Sequence, residues 1–266
     1  MRRLTVLLLG PLLLLLGLLL SLLLLPAGPL HRHRAGSRLI RWWLGRIARL
    51  FGVRTEIRGR PAPAPVLFVA NHVSWLDIPV LGGLVEASFL SKDEIRRWPL
   101  IGFLAARAGT LFIARGRPGA SEAALQTLRD CLDSGRSVIL FPEARTSPGT
   151  GVRRFHGRLL QAAIDCRVPV QPVALQYLHA GRPDPLVPFV DTSFLQSVLR
   201  VTRRRHVQAR VTFFPPLDPQ GHRRDELAAE ARRRVASVFD PAWSTGHASA
   251  PARREGRFSR VATPAR

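Results

Sequence analysis

The 266 residues suffice for one sizeable α/β core or two small domains, and 46% apolar against 22% charged content excludes an intrinsically disordered chain. The 40 Lys and Arg against 18 Asp and Glu leave a formal charge of +22, and Lys92 is the single lysine, so the positive charge is almost wholly arginine. Such a chain seeks anionic partners, whether nucleic acid, anionic lipid or phosphorylated substrates, and net charge alone does not choose among them. Cys131 and Cys166 lie in segments that read as apolar helix faces, which argues against a disulfide framework and for a reducing compartment.

Residues Leu4 to Leu25 form an uncharged, leucine-dominated run of 22 residues, long enough as a helix to cross a hydrocarbon core of roughly 30 Å. A cleavable signal peptide is the competing reading. The run exceeds the apolar stretch of such a leader and no clean small-x-small site follows it, so residues 1–30 are read as an uncleaved anchor. Arg2 and Arg3 precede the run, whereas Arg32, Arg34, Arg38, Arg41, Arg46 and Arg49 follow it. That bias places a single-pass protein in the inner membrane with its body in the cytoplasm. Residues 31–58 are read as an amphipathic interfacial segment. From Arg38 to Phe51, arginines share one helical arc and Leu39, Trp43, Ile47 and Leu50 the opposite one. That pattern suits a helix in the headgroup layer or a helix packed on the domain core.

Residues 59–240 read as one α/β domain, a largely parallel or mixed sheet flanked by helices. After the turn-rich Gly59 to Pro65, strands are expected at Val66 to Ala70, Ser88 to Ser91, Thr110 to Ala114, Ser137 to Phe141, Val168 to Gln176 and Val207 to Phe214. Helices are expected at Ile78 to Val85, Leu100 to Ala108, Ala120 to Leu132, Gly157 to Cys166 and Asp225 to Phe239. Residues 241–266, rich in Ala, Ser, Pro, Gly and Arg without apolar period, read as a disordered basic tail.

The chemistry-bearing segment is Asn71-His72-Val73-Ser74-Trp75-Leu76-Asp77, directly after the first of these strands. On a continuous helix residues five apart lie about 140° from one another, so His72 and Asp77 meet only across a turn. With His72 at the strand end and Asp77 in the first turn of the next helix, the carboxylate accepts from one imidazole nitrogen and leaves the other as a base. This is the orienting logic of a Ser-His-Asp triad without the enzyme serine. The bland reading is a surface turn with a helix-capping Asp.

Further blocks accompany the pair: Gly109 to Arg115, Phe141-Pro142-Glu143-Ala144-Arg145-Thr146-Ser147, and Val168 to Ala174. As an ordered set over residues 66–176, these resemble the membrane-bound glycerolipid acyltransferases of the 1-acyl-glycerol-3-phosphate (lysophosphatidate) type. The resemblance implies that His72 is the general base and Asp77 its orienting partner. It associates Arg115 and Glu143 with the phosphoglycerol acceptor, and places Val168 to Pro172 along the site and acyl channel. Arg145 and Thr146 join the substrate-binding candidates. The third block departs from the family's Phe-Pro-Glu-Gly-Thr: Ala144 stands for Gly and would resist a positive-φ conformation, and Arg145 stands for Thr. Lys92, between the first two blocks, and His156 are left outside the catalytic set.

The implied reaction is acyl transfer from a thioester, acyl-CoA or acyl-acyl carrier protein, to the free hydroxyl of 1-acyl-glycerol-3-phosphate, giving phosphatidate, with no metal or resident cofactor. The expected partners are the lysolipid, the acyl donor and the membrane, all of which suit the arginine excess, and not nucleic acid. The altered third block keeps a phosphate-free acceptor such as lyso-ornithine lipid open. A membrane-tethered nucleic-acid-binding protein is the alternative of another class, but it leaves these blocks unexplained and the chain carries no recognition motif.

Overall fold

The computed structural model describes residues 2–24, 30, 33–114 and 119–245. Arg115 and the tail beyond residue 245 lie outside the described residues. The elements are α1 (Arg2–Leu23), α2 (Arg34–Leu50), β1 (Val53–Arg58), β2 (Leu67–Ala70), α3 (Asp77–Gly82), β3 (Ala87–Lys92), α4 (Asp93–Arg96), α5 (Ile101–Arg107), β4 (Leu111–Ile113), α6 (Ala120–Asp133) and β5 (Ser137–Leu140). They continue with α7 (Gln161–Asp165), β6 (Val170–His179), β7 (Arg182–Pro183), α8 (Phe194–Val201), β8 (Val207–Phe213), α9 (Arg224–Ala236) and α10 (Pro241–Thr245).

The sheet order is β1-β8-β6-β2-β5-β3-β4, with β7 added to β6. Strands β6, β2, β5, β3 and β4 run parallel to one another. β8 turns antiparallel to β6 and carries β1 parallel to itself, so the expected mixed sheet is found. The apolar residues of the central strands divide by side-chain alternation between two cores. Val66, Phe68 and Ala70 of the β2 segment join Ile139, Val173, Leu175 and Val211 on the face covered by α2, α3 and α8. Leu67 and Val69 join Val138, Leu140, Val170 and Ala174 beneath α6, α7 and α9. Strands buried on both faces explain why these segments read as near-continuous apolar runs.

Five elements were not legible: β1, α4, β7, α8 and α10, the last of which makes Pro241–Thr245, read as the start of the disordered tail, a short helix. β1 falls in the segment 31–58, whose sequence VRTEIR offers only Val53 and Ile57 to a core; it becomes a strand because its backbone pairs with β8. α4 and α8 are short, and α8 opens on a capping box between Ser193 and Gln196 and packs Val198 and Val201 on the core. The expected helix from Gly157 splits into a 3-10 turn, Gly157–Leu160, and α7.

α1 is long and apolar enough over Leu4–Leu23 to cross a membrane, by length and composition. It packs along α2: the Trp43 indole donates to the Leu13 carbonyl at 2.9 Å, and a Cβ on Gly17 would meet that ring at 2.9 Å. On the other side Leu44, Ile47 and Leu50 of α2 pack on the core. Of the two readings of this amphipathic helix, the structure therefore shows its apolar stripe packed, while Trp42 stays exposed beneath the Arg46 guanidinium.

Beyond the end of β2, Asn71 continues the β2–β6 ladder with its side chain. Its amide donates to the Leu175 carbonyl at 2.9 Å and its oxygen accepts from the Leu175 N–H at 2.8 Å. Asn71→Ala would leave both backbone groups buried and unpartnered. It should lower unfolding free energy by about 2–4 kcal/mol in urea titrations in detergent micelles.

Candidate active site

β2 and β5 end together at the carboxyl edge of the parallel strands while β6 runs on past them, so the chemistry-bearing residues leave from the ends of β2 and β5 alongside β6. The chain emerging from β2 turns sharply, because Asp77 gathers the turn around its carboxylate. Oδ2 accepts from the Val73 N–H at 2.7 Å and the Ser74 N–H at 3.0 Å, and from His72 Nδ1 at 2.7 Å. Oδ1 accepts from the Tyr177 hydroxyl at 2.8 Å. Asp77 is 0% exposed, so each of these donors replaces water that the carboxylate has lost. The bland reading fails: the turn is buried, and Asp77 is the first residue of α3, whose N-cap Leu76 has no side-chain cap, so the carboxylate closes the preceding turn and orients the imidazole.

The His72 ring is held flat. It stacks on Phe141 at 4.2 Å between centroids and 17° between planes, and Phe141 stacks in turn on Phe89 at 6.4 Å. The His72 carbonyl accepts from the Ser147 N–H at 2.8 Å and from the Ser147 hydroxyl at 3.1 Å. Nδ1 is committed to Asp77 and the side chain is 22% exposed, which leaves Nε2 as the ring nitrogen able to take up a proton.

Tyr177 is the molecule's sole tyrosine and lay one residue beyond the expected strand. The available signal was a lone phenol in an otherwise apolar strand, since a buried hydroxyl needs a partner. Burial, and then the Asp77 charge, push the phenol well above its ordinary range and keep it an O–H donor.

The third block folds beneath the catalytic turn. Glu143, 3% exposed, accepts from the His72 N–H at 3.2 Å through Oε1, while Oε2 has no hydrogen-bond partner among the described residues. Burial raises its carboxyl from an ordinary 4.5 to about 7, against backbone hydrogen bonds from His72 and Arg153 that favour the anion. The structure thus brings Glu143 to His72, seated against the backbone of the loop. The Thr146 hydroxyl donates to the Phe189 carbonyl, and Arg145 is exposed on the same turn. Ala144, expected to resist a positive φ, adopts one at +61°. The turn around it, closed by the Ala144 N–H on the Phe141 carbonyl and by Ser147 on His72, imposes a conformation that costs a non-glycine residue about 1–2 kcal/mol.

The acyltransferase family model matches residues 54–176, the stretch that carries β1, the His72 turn, Glu143 and most of β6. A lyso-ornithine lipid O-acyltransferase of Pseudomonas aeruginosa is 44% identical over 200 residues, covering 75% of this chain and 77% of that one. The chain belongs to the acyltransferase family. A second acyltransferase with the same printed activity, from Rhodobacter capsulatus, is 36% identical and covers 79% of each chain. A 1-acyl-sn-glycerol-3-phosphate acyltransferase of Neisseria meningitidis is 38% identical over 58% of this chain and 62% of its own length. The crystal structure of the 1-acyl-sn-glycerophosphate acyltransferase PlsC from Thermotoga maritima superposes with a TM-score of 0.56 at 21% identity. It covers 78% of this acyltransferase and 82% of that chain, and so shows the shared fold.

Two predictions follow from this geometry. Glu143 carries a raised carboxyl pKa, so folding favours its protonated form, and the folded state loses stability as pH rises from about 4.5 to about 7. Glu143→Gln should remove that loss. Its unfolding free energy, measured against pH, should gain on the wild type across this window by up to about 3 kcal/mol and run parallel to it outside. Tyr177→Phe removes one oxygen and keeps the ring. It should lower kcat roughly tenfold with both KM values unchanged, in steady-state kinetics with acceptor and donor varied separately.

Proposed function

We propose that this acyltransferase is a membrane-bound lysolipid O-acyltransferase that takes a fatty acyl group from a thioester, on CoA or acyl carrier protein. The observation that carries the proposal is the His72–Asp77 hydrogen bond at 2.7 Å at the end of β2. In this reading Nε2 of His72 removes the proton of the acceptor hydroxyl as its oxygen attacks the thioester carbonyl. The C–S bond then breaks and the departing thiolate takes the proton back from the imidazolium. Asp77 stabilises that cation and Tyr177 holds Asp77. No covalent enzyme intermediate is needed, because the thioester is already activated.

The acceptor is read first as lyso-ornithine lipid. The two relatives that match over 75% or more of both chains carry that activity in their names, and the Ala144-Arg145 departure sets the third block apart from the phosphoglycerol pattern. The second reading, 1-acyl-glycerol-3-phosphate giving phosphatidate, rests on the Neisseria relative and on the resemblance of Arg115 to a phosphate-facing arginine. The apolar α1, packed on α2 with its exposed arginines, supports attachment to an anionic membrane with the catalytic domain on the cytoplasmic side.

Membranes containing the protein, supplied with labelled acyl-CoA or acyl-acyl carrier protein and a panel of lysolipids, test the proposal. His72→Ala should remove nearly all transfer and Asp77→Asn should lose on the order of a hundredfold or more; near wild-type turnover of His72→Ala refutes the mechanism. Arg115→Ala separates the acceptors. It should cost roughly 1.5–3 kcal/mol in kcat/KM with a phosphate-bearing acceptor and much less with lyso-ornithine lipid. Equal losses would make Arg115 a structural residue.

A further inference from the structure

Helix α8 and the turn at Trp98 form an apolar edge that the chemistry above does not use. Phe194, Ser197, Val198 and Val201 make the inner seam of α8, at i, i+3, i+4 and i+7, with Val198 and Val201 against the core and the Ser197 hydroxyl accepting from the Trp75 indole at 3.1 Å. The outer face of a water-exposed helix normally carries polar side chains. Here Leu195 is 65% exposed and Leu199, one turn on, is 40% exposed, with Trp98 nearby at 38%. A single exposed leucine needs no explanation, but a contiguous group beside an active site does.

The group is continuous with α1. Val6 of α1 shares a buried cluster with Phe51, Phe51 packs edge-on against Trp75 at 4.8 Å, Trp75 against Phe194 at 5.5 Å, and Phe194 against Trp98 at 5.7 Å. One line of contacts therefore joins the start of the most apolar helix to the α8 edge, and it passes through Trp75 in the His72–Asp77 turn. Arginine borders the edge on both sides. α8 runs directly into exposed Arg203, and exposed Arg96 and Arg97 precede Trp98, with Asp93 offsetting part of that charge at 3.9 Å from Arg97. Arg204 is tied to buried Asp184 at 2.8 and 3.0 Å, which pins the end of α8 to the domain.

Resting on the lysolipid reading above, we infer that the outer face of α8 and Trp98 are a second membrane-docking edge, seated at the headgroup–acyl boundary of an anionic bilayer. Leucines flanked by a tryptophan and by arginines suit that boundary, where apolar side chains enter the acyl region and guanidinium groups meet lipid phosphates. The site mouth is then held against the bilayer, and a lysolipid reaches His72 without crossing water.

The depth of the edge is measured on the full chain in vesicles of zwitterionic lipid with a fraction of anionic lipid. Nitroxide labels are placed at Leu195→Cys and Leu199→Cys, with Cys131 and Cys166 replaced by Ala and with an exposed α6 position, Ala123→Cys, as the water-side control. The labels on α8 should be more accessible to oxygen than to a water-soluble nickel chelate, and the label on α6 the reverse. Accessibility on α8 equal to that on α6 overturns the inference. The measurement needs no turnover, so it stands apart from the identity of the acceptor and from the catalytic reading.

A kinetic arm uses Leu195→Glu/Leu199→Glu, which changes only exposed positions. Transfer to vesicle-embedded lysolipid should fall roughly tenfold, while transfer to a monomeric short-chain lysolipid stays within about twofold. Equal losses on both substrates would assign α8 a structural role and overturn the inference.

Discussion

A carboxylate with no exposed surface must find donors inside the protein, and the arrangement around Asp77 is the result. Its four hydrogen bonds come from the His72 imidazole, two backbone amides of the preceding turn and a phenol from the strand β6. Removing any one partner leaves a buried charge less compensated, so the turn, the ring orientation and the position of β6 are coupled. Breaking one of these contacts would leave a buried polar group unpaired, which costs more than the contact gains on forming.

The sheet supplies the frame for that network. β2, β5 and β6 run parallel and deliver the His72 turn, Phe141 with Glu143, and Tyr177 to one edge. In an open α/β sheet the loops beyond the carboxyl ends of the strands are free to vary while the strands stay packed on both faces. Asn71 extends the ladder one step past β2 and sets where the free loop begins. Ala144 shows the cost of this precision: the turn around Glu143 holds an alanine in a backbone conformation that glycine would adopt freely.

A lipid substrate adds a second demand, access from an apolar phase to a polar base. In the proposed docking, the aromatic line from Phe51 through Trp75 and Phe194 to Trp98 meets it, since apolar surface reaches the His72–Asp77 turn while the carboxylates stay buried. Glu143 illustrates the balance. Excluded from water, it is driven toward its neutral form, yet it still accepts from the His72 amide.

Much of this was legible in the residues alone. The leucine run, the alternation of apolar strands with helix-period segments, and the five-residue spacing of His72 and Asp77 are local patterns, and local patterns are what the chain carries in one dimension. The blocks around Glu143 and Val168 likewise announced the acyltransferase family by their order. Tertiary structure decided the rest. β1 is a strand only because β8 lies beside it, and Tyr177 reaches Asp77 across 100 residues of sequence. Ala144 takes a left-handed conformation that its own side chain disfavours, because the contacts closing its turn outweigh a cost of about 1–2 kcal/mol. Pairings and burials of this kind depend on what is brought alongside from elsewhere in the chain, and no local spacing encodes them.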